Sequence, residues 1–219
     1  MILLTRNGSC SSAAGISLES SERRGSEDAL LRQMKSLQDR LEASLARLPA
    51  TAQELHEALR RILQQAVRAE ALRTPPYEVS KLLRLTSSQS KQGGSLIAIT
   101  GGPKDFSRLD NEVDPKERLV RDDGAVIHFS ISVKELPGSD RVRLHAYDFE
   151  LYFPLKQPMW FVRFDLNEPG HENQDLGLRS HLHPSHEDLQ VPSPVLSPME
   201  VLSFLLYRMR LRRDVQRLP

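Results

Sequence analysis

The sequence lacks several features that mark common protein classes. A single cysteine, Cys10, leaves no disulfide framework and no cysteine-based zinc site. The longest apolar runs are about five residues, as at Leu202 to Leu206, far short of a membrane-spanning helix. Met1 to Leu4 is too brief for the apolar core of a signal peptide. These absences point to the cytoplasm. No Walker loop, G-x-G-x-x-G, H-E-x-x-H or G-x-S-x-G occurs, and there is no internal repeat.

Aromatic residues are scarce, 5% of 219, and unevenly placed. Six of the seven Phe lie from Phe129 onward, and the sole Trp is Trp160. A core able to fold alone is therefore expected in the second half. The first half needs helix–helix packing or a partner. Charge is divided as well: 13 Lys+Arg against 10 Asp+Glu up to residue 90, and 17 against 19 beyond. This is no general polyanion binder. One local exception is Arg208, Arg210, Arg212, Arg213 and Arg217, opposed only by Asp214. These arginines either touch phosphates or form a solvated helix end, where cations suit the negative pole of the helix dipole.

Residues 1–26 are rich in Ser, Gly and Arg and read as a disordered tail. From Glu27 to Arg47 the pattern becomes helical: Leu30, Met34, Leu37, Leu41, Leu45 and Leu48 recur at steps of three and four. Pro49 stops this helix. Thr51 with Glu54 is a capping-box signature, and Leu55, Leu59, Ile62, Leu63, Ala66 and Val67 then line one face of a second helix. The pair reads as an antiparallel hairpin. Its stripes either seek a second copy or a partner, by coiled-coil packing over 27–72, or pack on this chain's own sheet. Lys81 to Leu85 reads as a further short helix. Ser87 to Gly94 reads as a linker and sets a boundary between a helical unit over 27–90 and an α+β unit over 91–219.

The second half has the alternation of strands. Ile127, Phe129, Ile131 and Val133 face one way, His128, Ser130 and Ser132 the other. Val142 and Leu144 are out of phase with Tyr147, Phe149, Leu151 and Phe153, which predicts a bulge near Ala146. Trp160, Val162 and Phe164 form the apolar face of another strand, with Arg163 and Asp165 opposite. Ser197-Pro198-Met199-Glu200 is a helix start, with Ser as cap, Pro at the first position and Glu closing the box. The expected fold is α+β: an N-terminal helical hairpin, then an antiparallel β-meander covered by a C-terminal helix.

Chemistry concentrates in histidine. His171, His181, His183 and His186 fall within one short stretch, and on a strand Arg179, His181 and His183 share a face. Three readings stand. In the first, His181 and His183 bind a divalent metal, with Asp165 or His145 as a third ligand. In the second, no cofactor is needed: His181 and His183 act as acid and base on RNA, while Arg163 or Arg179 stabilises the phosphorane charge. In the third, these groups are solvated or serve a partner. His145, in phase with Arg141 and Arg143, is a candidate member of the site. His128 is expected to be exposed, His171 to sit in a turn, and Tyr147 and Phe149 to lie in the core.

The run Gly124 to Pro137, then Leu144 to Phe153, Val162-Arg163-Phe164-Asp165 with Asn167, Gly170-His171, His181-x-His183, Val191-Pro192 and Leu196 to Phe204 resembles, in this order, the TumE-type toxins of bacterial toxin-antitoxin systems. The resemblance covers about residues 122–207. It implies a toxin or defence component, acting on RNA in one reading, partnered by an antitoxin or another operon-encoded protein. Residue by residue it places Arg163, Asp165, His181 and His183 at the site, with His145 as an outer member. The helical first half lies outside it and reads as an oligomerisation or partner-binding element.

Overall fold

The computed structural model of the chain describes residues 48–89, 95–104, 113–136, 138–139, 141–154 and 159–210, with seven positions between 25 and 36. The tail expected over 1–26 lies outside these residues except for Gly25. In the first expected helix, Asp28, Ala29, Arg32, Gln33, Lys35 and Ser36 are helical, while Leu30, Met34, Leu37, Leu41 and Leu45 lie outside the description. So do Arg212, Arg213 and Arg217.

The capping box forms where the sequence puts it. Thr51 Oγ1 accepts from the Glu54 amide at 3.0 Å, and the Glu54 carboxylate accepts from the amides of Thr51 and Ala50. Helix α1 (Ala52–Arg68) starts there and buries Leu55, Leu59, Leu63 and Ala66. Each fully buried Leu contributes about 2 kcal/mol. This stripe is covered within the chain, by the sheet and by the last helix. Helix α2 (Pro76–Leu82) is short and passes directly into strand β1 (Leu83–Gln89), so the helix read over Lys81 to Leu85 is a helix end and a strand start.

The remaining strands are β2 (Ser95–Gly101), β3 (Leu119–Val120), β4 (Val126–Glu135), β5 (Val142–Tyr152), β6 (Phe161–Leu166), β7 (Ser180–Pro184) and β8 (Val191–Pro192). They form one eight-stranded sheet in the order β1-β2-β4-β5-β6-β7-β8, with β3 beside β4, and every pairing is antiparallel. The meander is thus longer than the sequence indicates. Ser87, Ser88 and Gln89, read as linker, pair with Ile97, Leu96 and Ser95 in turn and belong to the sheet; Ser90 to Gly94 lie outside the described residues. Their polar composition misleads because β1 is an edge strand, where side chains need not be apolar. The core runs unbroken from Ala52 to Leu206 across that proposed boundary.

The bulge falls at His145. Ser132 pairs with Ala146 but Val133 pairs with Leu144, which switches the phase of β5. Ile99, Phe129, Ile131, Phe149, Leu151 and Phe164 therefore share one face with α1 and with helix α3 (Pro198–Tyr207). Phe129 stacks on Phe149 with centroids 5.1 Å apart. Gly101 is required beside them, because a Cβ there would lie 2.2 Å from the Phe129 ring. Helix α3 starts at the Ser197–Glu200 capping box and buries Val201, Leu202, Leu205 and Leu206. Fully buried Arg121 ties down its end, donating to the carbonyls of Leu205 and Met209 and pairing with Asp123. Arg210 pairs with Asp122 at 2.6 Å, so this member of the C-terminal arginine group is engaged within the fold.

Trp160 departs from expectation. It is 56% exposed, outside the core, and stands edge-on to Phe161 beyond the start of β6. Its indole Nε1 donates to the Ser185 carbonyl at 2.8 Å. A strand-end position explains this: alternation assigns a face but cannot say that the sheet stops there.

Candidate functional site

The register of β4 to β7 fixes what the second face carries. One row runs His128, Glu150, Arg163, His183 across four strands; the next runs Ser130, Asp148, Asp165, His181. Side chains of alternate residues project to one face, so these eight stand together. Arg163, Asp165, His181 and His183, anticipated from sequence, do converge. Asp148, Glu150 and Lys104, not anticipated, join them: Lys104 Nζ lies 3.7 Å from Asp148 and 3.6 Å from Glu150.

This face is polar yet largely buried. His181 and His183 are each 2% exposed, Glu150 1% and His128 4%. His128 is therefore not the exposed side chain expected of a polar strand face; the Gly102 backbone covers it, and its Nδ1 lies 3.0 Å from that carbonyl. A groove of about 450 Å³ opens over the second row, lined in part by Lys104, Ser130, Asp148, Arg163, Asp165 and His171.

Asp165 Oδ2 is the focus. Arg163 Nε donates to it at 2.8 Å, His183 Nε2 lies 3.2 Å away and His181 Nε2 3.5 Å away. The His181 Nδ1 is 2.8 Å from the Leu178 carbonyl and the His183 Nδ1 3.4 Å from that of His186. A carbonyl can only accept, so each Nδ1 carries a proton and each ring turns its Nε2 inward. Burial holds His181 below the ordinary imidazole range, against the upward pull of Asp165. His183 Nε2 is buried without a hydrogen-bond partner, although Asp165 is within reach. Two imidazole Nε2 atoms and a carboxylate thus face one another.

Such an arrangement suits a cation. Ligands about 2 Å from a tetrahedral ion stand roughly 3.3 Å from one another, close to the two His–Asp separations. The ligand atoms of Asp165, His181 and His183 all lie within 4.8 Å of each other. Backbone carbonyls gripping the outer ring nitrogens are the usual support of metal-bound histidine.

The carboxylates are crowded. Asp148 and Asp165 are direct cross-strand partners, a pairing that costs stability when both are charged. Burial pushes the Asp148 and Glu150 carboxyls up, with Lys104 pulling each back. Arg163 also pairs with Glu187 at 2.7 Å and stands 4.0 Å from Glu150. Among the described residues, Asp148, Glu150, Asp165 and Glu187 therefore share Arg163 and Lys104.

Other expected members lie apart. His145, on the bulge, faces Glu168 at 3.6 Å and belongs to neither cluster of converging ligands among the described residues. Arg179 is buried, with its Nε donating to the Asn167 carbonyl at 3.2 Å, so it braces the approach to β7. His171 caps the short 3-10 turn Glu172–Gln174, a turn role as anticipated. The missed acids carry a readable signal: Asp148 and Glu150 alternate with Tyr147, Phe149 and Leu151, which placed them opposite the core.

Comparison with known proteins finds no matching family model, no matching curated protein and no matching solved structure. No helix among the described residues is long and apolar enough to cross a membrane.

Proposed function

We propose that the polar face is a hydrolytic centre, in which Asp165, His181 and His183 hold a divalent metal ion and the substrate is a phosphodiester of RNA. The observation that carries this reading is the inward orientation of both Nε2 atoms toward one carboxylate, with His183 Nε2 buried and lacking a hydrogen bond. An ion held there would supply Lewis acidity at a phosphoryl oxygen and a nucleophilic water at neutral pH. Arg163 orients Asp165 through its Nε. Lys104 lines the groove beside Asp148 and Glu150, and its exposed ammonium is placed to meet a phosphate. The metal-free alternative asks His181 and His183 to exchange protons with a ribose, which their 2% exposure opposes.

RNA cleavage is the activity of a toxin-like component of a defence or toxin-antitoxin system, working in the cytoplasm with an antitoxin or another operon-encoded partner. The α1 stripe is used up inside the fold, so the helix expected over 27–47 is the segment offered to such a partner or to a second copy. Leu37→Glu with Leu41→Glu in the full chain should abolish that association in sedimentation velocity.

The deciding experiment incubates the full chain with RNA, with and without EDTA. Cleavage should vanish with chelation, return with Mn²⁺ or Zn²⁺, and be lost in Asp165→Asn and His183→Ala. Cleavage that survives chelation would move the chemistry to His181 and His183 as acid and base. No cleavage in either arm, with wild-type behaviour of the His181→Ala, His183→Ala double variant in cells, would remove both readings.

A further inference from the structure

We infer that His128, Asp148 and Glu150 form a second divalent-cation site on the same face, and that Lys104 is the resident cation such an ion displaces. The three side chains come from two paired strands, and their ligand atoms lie within 4.8 Å of one another. The Glu150 carboxylate is almost wholly buried, and its Oε2 has no hydrogen-bond partner. Asp148 Oδ2 is buried without one as well. His128 directs Nδ1 toward the Gly102 carbonyl and stands 3.8 Å from Asp148 Oδ2 through Nε2.

Two carboxylates two residues apart on one strand face repel each other in a medium of low dielectric. Their present relief is slight. Lys104 Nζ stands beyond hydrogen-bond distance of both and its side chain is 60% exposed. Arg163 reaches Glu150 only at 4.0 Å and is bonded to Asp165 and Glu187. An exposed ammonium beyond hydrogen-bond distance can give way to an ion, and one imidazole with two carboxylates is a donor set for Mn²⁺ or Zn²⁺. Asp148 lies directly across from Asp165, so the two ion positions are neighbours on the sheet. The inference stands on its own donors and does not require the Asp165 centre.

Native mass spectrometry of the EDTA-stripped full chain, titrated with Zn²⁺ and separately with Mn²⁺, tests it. Wild type should take up two ions. Glu150→Gln and Asp148→Asn should each take up one, with melting curves showing that both remain folded. Asp165→Asn should also keep one. Lys104→Gln should keep two and bind the ion that Glu150→Gln loses roughly tenfold more tightly, because a like charge beside the site is gone. A single ion lost only in Asp165→Asn would overturn the second site and leave the first standing. A single ion lost in Glu150→Gln but kept in Asp165→Asn would do the reverse. Equal uptake by wild type, Glu150→Gln and Asp148→Asn overturns the inference outright.

Discussion

The two faces of the central sheet are both buried, by opposite means. On the face under α1 and α3, Phe129, Phe149 and Ile131 fit one another by shape, and every group there is content without a partner of a particular charge. On the other face, His128, Glu150, His181 and His183 are shut away just as tightly, but each needs a specific neighbour. Desolvating a charge costs several kcal/mol unless company is supplied. Stability alone gives no reason for the second arrangement, since apolar side chains of similar size would do as well or better. That contrast is what supports the proposal for the polar face.

Four measurements break or sharpen that contrast. The largest effect belongs to the apolar face. Phe149→Ala should cost about 3–5 kcal/mol in urea unfolding, because it removes the ring stacked on Phe129 and edge-on to Tyr147. A loss below about 1 kcal/mol would mean that this face is not the main support of the fold. Next, Gly101→Ala should cost about 1–3 kcal/mol by pressing a methyl into the Phe129 ring.

The polar face should answer with the opposite sign. Glu150→Gln should stabilise the metal-free chain at pH 7 by about 1 kcal/mol, since a buried charge is removed while the shape is kept. Burial raises the folded-state pKa of Glu150, so the penalty is absent below the unfolded value, about 4.3, and grows as pH rises through the folded one. The advantage of the variant should therefore be missing at pH 4 and full at pH 7. The smallest effect is that of histidine. Burial depresses His181 and His128, so the unfolded chain takes up protons first as the solution is acidified. The melting temperature of the metal-free chain should be highest above about pH 6.5 and fall below it, less steeply in His181→Asn. A flat profile in both chains would show that neither imidazole is depressed by the fold.

Much of this was legible from local pattern. The capping boxes at Thr51 and Ser197, the faces of β4 and the phase switch at His145 are each set by residues within a few positions of one another. Arg163 with Asp165, and His181 with His183, were assigned to shared faces by the same period of two. Which strands lie side by side is a long-range matter, and there the reading stopped. Without the β4–β5–β6 register, Asp148 and Glu150 are two acids on a strand; with it, Glu150 stands between His128 and Arg163 and Asp148 between Ser130 and Asp165. His128 was misjudged because nothing local reveals that Gly102 covers it. Strands β3 and β8, two residues each, are too short to show a period. β1 was hidden by its serines, since an edge strand has little apolar surface to declare.

The solitary indole described beside Phe161 is also an optical gauge placed by the fold itself. Its ring is tethered to Ser185, two positions past His183, beside the β6–β7 pair that carries Asp165, His181 and His183. Any ion that draws His183 toward Asp165 pulls on that tether. If the proposed site takes up an ion, the intrinsic fluorescence of the unlabelled protein should change on loading, read from a position just outside it.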